Sequence, residues 1–239
     1  MHSAPEIERH WSLFLDIDGT LLDIAPTPDQ VTVPPGLPPC LGLLHRKLGG
    51  ALALVSGRAL ANIDDLFDPL YLPAAAEHGA VIRYSSGRLV SAPRQRMPPE
   101  DWREALRQAA QAWPGVVIEE KSYSIAAHFR LAPQYEVPLR RAVEELIAMN
   151  PGDFELLNGK ELVEIRPRSI TKGHATALLA ESAPFKGRRP VFVGDDITDE
   201  DGFAMARQLG GLGLHVGQSF QNNPAAVRGW LLRAADRLV

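Results

Sequence analysis

The sequence predicts an α/β fold, a core built on a parallel sheet with a small α+β unit inserted into it, from three features. Short apolar runs bounded by turn residues alternate with stretches of helical spacing up to residue 95 and again over residues 168–239, the pattern of a parallel sheet with right-handed helical crossovers. Over residues 96–167 the rhythm changes to pairs of adjacent strands separated by helices, which suits an antiparallel sheet covered on one face. Proline-containing flanks, Ala92-Pro93 to Pro98-Pro99 and Arg166-Pro167-Arg168, suit hinges. Residues 1–95 and 168–239 are therefore expected to form the core domain and residues 96–167 an inserted cap.

The elements follow in order. Trp11 to Ile17 is a short, largely apolar run ending in Asp16-Ile17-Asp18-Gly19-Thr20, as a buried parallel strand ends. A loop with Pro26, Pro28, Pro34 and Pro35 leads to helical spacing over Leu37 to Leu48, where Pro38 and Pro39 fall in the first turn. Ala51 to Val55 is a second buried strand, closed by Ser56-Gly57-Arg58 at the entrance of another helix; Tyr71 to Ala76 and Ala80 to Tyr84 are further strands. Within the insertion the expected order is helix (Pro99 to Ala112), strand (Val116 to Lys121), strand (Ser124 to Arg130), helix (Gln134 to Met149) and two strands (Phe154 to Leu157, Leu162 to Ile165). The core resumes with a helix at Thr171 to Leu179, a strand at Pro190 to Val193, a helix around Glu200 to Leu209, a strand at Leu212 to Val216 and a last helix from Pro224.

Composition bounds the partners. The 239 residues are 45% apolar and 23% charged, ordinary for a globular chain, and a net charge of −4 gives no bulk attraction to nucleic acid or to an anionic membrane. No window holds the ~20 apolar residues of a membrane span, and Met1 to His10 lacks the basic start and apolar core of a secretory signal. Cys40 is the one cysteine, so no intramolecular disulfide forms, which fits a reducing compartment. A monomeric cytoplasmic enzyme acting on a small molecule is expected, with no nucleic acid and no membrane as partner.

Four short clusters carry chemistry, and each falls at a strand end or a helix start, where ligands bind in open α/β sheets. In Asp16-Ile17-Asp18-Gly19-Thr20 two carboxylates can turn into one crevice. Asp16 is a competent covalent nucleophile, and Asp18 sits where it can protonate a leaving oxygen and later deprotonate water. The same pentapeptide also serves as an ordinary strand-ending turn. In Gly194-Asp195-Asp196-Ile197-Thr198-Asp199-Glu200-Asp201 the carboxylates repel one another unless a cation or backbone N–H groups offset them. Mg²⁺ favours a few carboxylates plus water and phosphate oxygens, and Asp195, Asp16 and the backbone carbonyl of Asp18 are the expected ligands. Asp196 and Asp199 are placed as loop-organising residues behind them; a solvated acidic helix start is the alternative.

Ser56-Gly57-Arg58 offers a hydroxyl and exposed amides for a phosphate, although a serine there is equally an ordinary helix cap. Lys172, followed by Gly173, opens a helix against the macrodipole, which prefers anions there. Its ammonium is easier to understand reaching into the crevice toward Asp16, with a surface lysine as the alternative.

Taken in chain order, Asp16 to Thr20, then Ser56, then Lys172, then Gly194 to Asp201, these clusters resemble the haloacid dehalogenase-like (HAD) phosphohydrolases, and the resemblance spans nearly the whole chain. A narrower match to the trehalose-6-phosphate phosphatases is carried by Phe14 to Leu22 with Ile24 and Pro28, by Val55-Ser56-Gly57-Arg58, Glu77-His78-Gly79, His128-Phe129-Arg130, Glu164-Ile165-Arg166-Pro167 with Lys172-Gly173, and Val193 to Asp201. The resemblance implies a Rossmann-like HAD core with a C2B-type cap. It also implies Mg²⁺-dependent hydrolysis of trehalose 6-phosphate in trehalose biosynthesis, through an aspartyl-phosphate intermediate. It assigns Asp16 as nucleophile, Asp18 as acid–base, Ser56 and Lys172 as phosphate ligands, and Asp16, Asp18 and Asp195 as metal ligands. Gln218 to Pro224 departs from the family pattern, which bears on loop geometry beside the site.

The sugar is expected to be chosen by Lys121, His128, Arg130, Lys160 and Glu164 of the cap, with Gly57, Arg58, Glu77 and His78 from the core. Each also reads as a strand-edge residue or an ion pair within its own domain. Phosphatases for sucrose phosphate, glucosylglycerol phosphate or a hexose phosphate, a phosphomutase, a signalling receiver and an inactive sugar-phosphate sensor are the competing readings. The length and the inserted segment speak against a receiver, and Asp16, Asp18, Lys172 and Asp195 together speak against an inactive sensor.

Overall fold

The computed structural model describes residues 4–25, 30–159 and 161–238. In chain order the elements are β1 (Trp11–Leu15), α1 (Leu37–Lys47), β2 (Leu52–Val55), α2 (Leu60–Phe67), β3 (Ala74–Ala76), β4 (Val81–Arg83) and β5 (Leu89–Ser91), then α3 (Glu100–Gln111), β6 (Val117–Glu120), β7 (Ile125–His128), α4 (Glu136–Ala148), β8 (Phe154–Gly159) and β9 (Leu162–Pro167). They end with α5 (Lys172–Ala180), β10 (Arg189–Gly194), α6 (Glu200–Gln208), β11 (Leu212–His215), α7 (Val216–Ser219) and α8 (Pro224–Arg237). The chain forms two compact units, Met1–Ser91 with Thr171–Val239 and Ala92–Ile170.

The first unit is a seven-stranded sheet in the order β11-β10-β1-β2-β3-β4-β5. Strands β11 through β3 run parallel, and β4 and β5 add an antiparallel edge. All five residues of β1 are buried, as a strand covered on both faces must be. Alternate residues of the sheet feed separate cores. Leu13 and Leu15 pack with Leu41 and Leu44 of α1 and Leu231 of α8, while Phe14 packs with Phe192, Phe203 of α6 and Leu179 of α5. After β1 the chain lays β2 and β3 to one side and later returns to place β10 and β11 on the other. The order therefore reverses at β1, and the crevice beyond its carboxyl end is the switch point where such sheets bind ligands.

The expected elements are present with ends shifted by a few residues. The run Tyr71 to Ala76 yields strand only at Ala74–Ala76, where β3 finds β2 to pair with. Strand β5, exposed at the sheet edge, carries too little apolar patterning to be legible. Gln218 to Pro224 comprises the end of the short α7, a turn with Gln221 and Asn222 at φ 57° and 55°, and Asn223 capping α8 through Ala225 N.

The second unit is a four-stranded antiparallel sheet, β6-β7-β9-β8. Helices α3 and α4 cover one face, with Trp102, Leu106, Leu139 and Val143 packed on Ile125, Ala127, Val163 and Ile165. Alternation sends Glu164 and Arg166 of β9 and His128 of β7 to the opposite face. No helix among the described residues is long and apolar enough to cross a membrane.

Candidate active site

Strand register brings the first and last clusters together. Leu15 of β1 pairs with Val193 of β10, and Asp16 N–H donates to Val193 O at 3.0 Å, so Asp16 and Asp195 leave neighbouring strands at nearly the same level. Beyond β1 the backbone turns at once: Ile17 O accepts from the N–H groups of Leu21 and Leu22 at 2.8 Å. Gly19 makes this possible with φ 77°, and a Cβ there would stand 2.1 Å from Asp195 Oδ2. The two acidic loops thus pack in direct contact, and Thr20 Oγ1 donates to Asp195 Oδ1 at 3.3 Å.

Lys172 enters from α5. Thr171 caps that helix by accepting from His174 N–H at 3.1 Å. The helix is drawn against α6, since a Cβ on Gly173 would lie 2.5 Å from Asp201 O. Lys172 Nζ, at the unfavourable end of the helix dipole, donates to Asp16 Oδ1 and Asp199 Oδ1, each at 2.6 Å, and all three side chains are buried. Asp199 uses its other oxygen to accept from the N–H groups of Asp195 and Asp196 at 3.0 Å each. Asp196 closes a reciprocal cap with it, accepting from Ile197 N–H at 2.6 Å. Asp199 and Asp196 therefore organise the loop.

Asp16, Asp195 and Asp199 each present an oxygen within 4.8 Å of the others, and such a triad can bind a metal ion. Both oxygens of Asp199 are already committed, which leaves Asp16 and Asp195 as the freer ligands. The electrostatics fit a cation. Burial, then the Asp199 charge, pushes the Asp16 carboxyl well above its ordinary range, with Lys172 opposing. Burial, then Asp199 and Asp196, pushes Asp195 up to about 6. Burial works against the Lys172 ammonium, but Asp16 and Asp199 more than offset it and hold its pKa above the usual lysine value. Oxygen-only donors with excess negative charge suit a hard divalent ion.

The loop after β2 forms the third wall. Ser56 is buried and its Oγ accepts from Arg58 N–H at 3.2 Å. It is not the cap of α2, which begins at Leu60 after Ala59. This loop is tied to the corner after β3: Glu77 N–H donates to Arg58 O at 2.9 Å and His78 N–H to Ser56 O at 3.0 Å. Glu77 and His78 have φ 47° and 59°, a backbone strain that persists only where surroundings enforce it. Gly57 lies against the His78 ring, which a Cβ would meet at 2.8 Å. Asp18 turns to Arg58, whose Nε and Nη2 donate to its two oxygens at 2.7 and 2.6 Å. Its side chain is not part of the acidic triad of Asp16, Asp195 and Asp199.

The remaining expected residues lie in the second unit. Lys121 Nζ is 3.1 Å from Glu164 Oε1 and 3.9 Å from Glu119 Oε2. Ser124 Oγ donates to Glu164 Oε1 at 2.5 Å, and His128 Nε2 pairs with Glu119 Oε2 at 2.9 Å. Arg130 pairs with Glu161 at 3.1 Å. Lys160 lies outside the described residues. Glu119 is a member of this polar group that the sequence reading missed. Its signal is the register: Ala126 of β7 pairs with Glu119 on one side and Glu164 on the other, so two carboxylates flank one small residue on one face. Burial raises the Glu119 pKa, but the His128 bond and the Lys121 charge outweigh it and lower the value. Asn62 was missed as well; it accepts from Arg58 Nη1 at 2.5 Å.

Known proteins resemble this chain in sequence and in fold. Residues 14–227 match the family model described as trehalose-phosphatase. A probable trehalose-phosphate phosphatase of Sinorhizobium fredii is 46% identical over 208 residues, 87% of this chain and 78% of that protein. The trehalose-6-phosphate phosphatase of Escherichia coli is 40% identical over 214 residues, 90% and 80% of the two chains. In fold, the chain is similar to the C-terminal domain of a C. albicans trehalose-6-phosphate phosphatase, with TM-score 0.80 at 18% identity over 98% of this chain and 99% of that one. The family match covers every cluster that forms the crevice beyond β1, β2 and β10, and the identity to two named phosphatases extends over most of both chains: this chain belongs to the trehalose-phosphatase family.

Proposed function

We propose that this chain hydrolyses trehalose 6-phosphate to trehalose and inorganic phosphate through a phosphoryl group carried transiently on Asp16. The observation that carries the proposal is the buried contact of Lys172 with Asp16, beside Asp195 in the same crevice. A carboxylate surrounded by carboxylates is a poor place for an anion unless cations are supplied. Lys172 supplies one charge, and Mg²⁺, held by Asp16, Asp195 and the Asp18 main-chain carbonyl, would supply the charge that draws in the phosphoryl oxygens.

The residues then divide the work. Asp16 Oδ attacks phosphorus as the bond from phosphorus to the sugar oxygen breaks, and Asp18 gives that oxygen a proton. In the second half Asp18 takes a proton from water as its oxygen attacks phosphorus, which frees phosphate and restores Asp16. Ser56 and Lys172 hold the phosphoryl oxygens in line, since phosphoryl transfer is mostly positioning and charge stabilisation. In the second unit Lys121, His128, Arg130, Lys160 and Glu164, joined by Glu119, select the sugar. Buried polar groups discriminate strongly because an unmatched hydroxyl leaves them unpaired. Gly57, Arg58, Glu77 and His78 of the first unit bind substrate as well.

The test is phosphate release from trehalose 6-phosphate beside sucrose 6-phosphate and glucose 6-phosphate, each with Mg²⁺ and with chelator. Release from trehalose 6-phosphate that exceeds the others and disappears with chelator is expected. Preference for another sugar phosphate would move the reading to a related phosphatase, and activity in chelator would remove the metal from it.

A further inference from the structure

Arg58 is held at both ends of its guanidinium. Nε and Nη2 grip the two oxygens of Asp18, and the far nitrogen, Nη1, donates to Asn62 Oδ1 at 2.5 Å. Its backbone is fixed too, with the N–H on Ser56 Oγ and the carbonyl accepting from Glu77 N–H. A planar guanidinium on a flexible stem presents a directional fork only while its plane is held. Asn62 holds that plane from the first turn of α2, a regular element. The Asp18 side chain is 39% exposed, and a short carboxylate facing solvent on a turn has several rotamers open to it unless such a fork restrains it.

We propose that Asn62 is a positioning residue for the reaction, acting through Arg58 to fix where the Asp18 carboxyl sits. The assignment rests on Asp18 as the acid–base group argued above. To carry a proton to the sugar oxygen, and later to take one from water, Asp18 gives up one of its two Arg58 bonds and pivots on the other, so a fork that drifts misplaces the carboxyl in both steps. A p-nitrophenolate leaving group departs without a proton. Its first release therefore does not depend on Asp18, whereas later turnovers do.

The experiment compares Asn62→Ala, Asn62→Asp and Asp18→Asn in the full chain. Alanine is a better helix former than asparagine, so Asn62→Ala keeps α2; Asn62→Ser, too short to reach Arg58, is read in the same way should the alanine variant fail to fold. Misplacement on the ångström scale costs up to about a hundredfold, and for Asn62→Ala a fall in kcat on trehalose 6-phosphate of about tenfold is expected, with KM within about twofold. The first-turnover burst of p-nitrophenolate should stay within about twofold of wild type, and Asn62→Asp, which keeps an acceptor for Nη1, should recover kcat to within about threefold. An unchanged kcat in Asn62→Ala, a burst slowed in proportion to kcat, or no recovery in Asn62→Asp overturns the assignment. If Asp18→Asn is inactive while Asn62→Ala is normal, the role of Asp18 stands and that of Asn62 falls. If Asp18→Asn stays active on trehalose 6-phosphate, the acid–base role of Asp18 falls and takes the positioning role with it.

Discussion

Lys172 Nζ and Asp16 Oδ1 meet at 2.6 Å across 156 positions of sequence, with neither side chain open to solvent. The same ammonium holds Asp199, so one lysine compensates two buried carboxylates. Removing one partner of such a group leaves the other charges buried and uncompensated, at a cost of about 3–5 kcal/mol. Lys172→Met should therefore lower unfolding stability by about that amount and reduce turnover by about a hundred- to a thousandfold. Urea unfolding without added metal, beside phosphate release, checks both. Stability within about 1 kcal/mol of wild type would show that the three groups relax apart at little cost.

Asp16→Asn keeps the size of the side chain and an acceptor for Lys172 but replaces a nucleophilic carboxylate by an amide. Turnover should vanish while the fold remains, and acid-quenched mass spectrometry should find the phosphoryl adduct in wild type only. Retention of more than about a hundredth of the activity would contradict a covalent role, since loss of a nucleophile costs far more.

Gly19 is where the two acidic loops touch. Its φ of 77° and the 2.1 Å that a Cβ would leave to Asp195 Oδ2 make Gly19→Ala both strained and crowded. Asp195 should be displaced from Asp16, and the Mg²⁺ concentration giving half-maximal activity should rise by about tenfold or more, in line with the loss of a metal-site support. A Mg²⁺ titration at saturating substrate measures this, and an unchanged midpoint would argue that Asp195 is not a ligand.

His45, near the end of α1, titrates against stability. Among the described residues its Nδ1 is buried without a hydrogen-bond partner. Burial lowers its pKa, a bond to the Leu52 backbone opposes, and Arg46 lowers it further. A histidine depressed in the folded state stabilises above its unfolded pKa of about 6.5, and as pH falls below that value the unfolded chain takes the proton first. Stability should decline from about pH 6.5 downward and level off below the folded value. The midpoint of urea unfolding at several pH values should show a shallower decline in His45→Gln; identical slopes would remove His45 as the cause.

The sheet and the crevice were legible because they follow from local rules. The continuous apolar run of β1 and the turn at Asp16 to Thr20 announce a buried parallel strand ending in carboxylates, and Lys172 at a helix start was anomalous enough to be noticed. What was not legible depends on register and side-chain direction. Asp199 shares Lys172 with Asp16, Asp18 turns toward Arg58, and Glu119 lies beside Glu164 only because Ala126 pairs with both. Asn62 looks like any polar residue in a first helical turn until Arg58 is placed. None of these has a signature within a short window of sequence.

The polar face of the second sheet gives the last test. Lys121 sits between Glu164 and Glu119, and His128 and Ser124 each bind one of those carboxylates. If this group recognises sugar hydroxyls, removing its cation should hurt substrates in proportion to the sugar they carry. For Lys121→Ala, kcat/KM on trehalose 6-phosphate should fall by about a hundredfold or more, because a site built on buried polar pairs discriminates strongly. On p-nitrophenyl phosphate, which has no sugar, the same variant should lose less than about threefold, since only groups at the phosphorus remain engaged. Glu164→Gln should follow the same split. Equal losses on both substrates would mean that the cluster holds its own sheet together and leaves the choice of sugar to other residues.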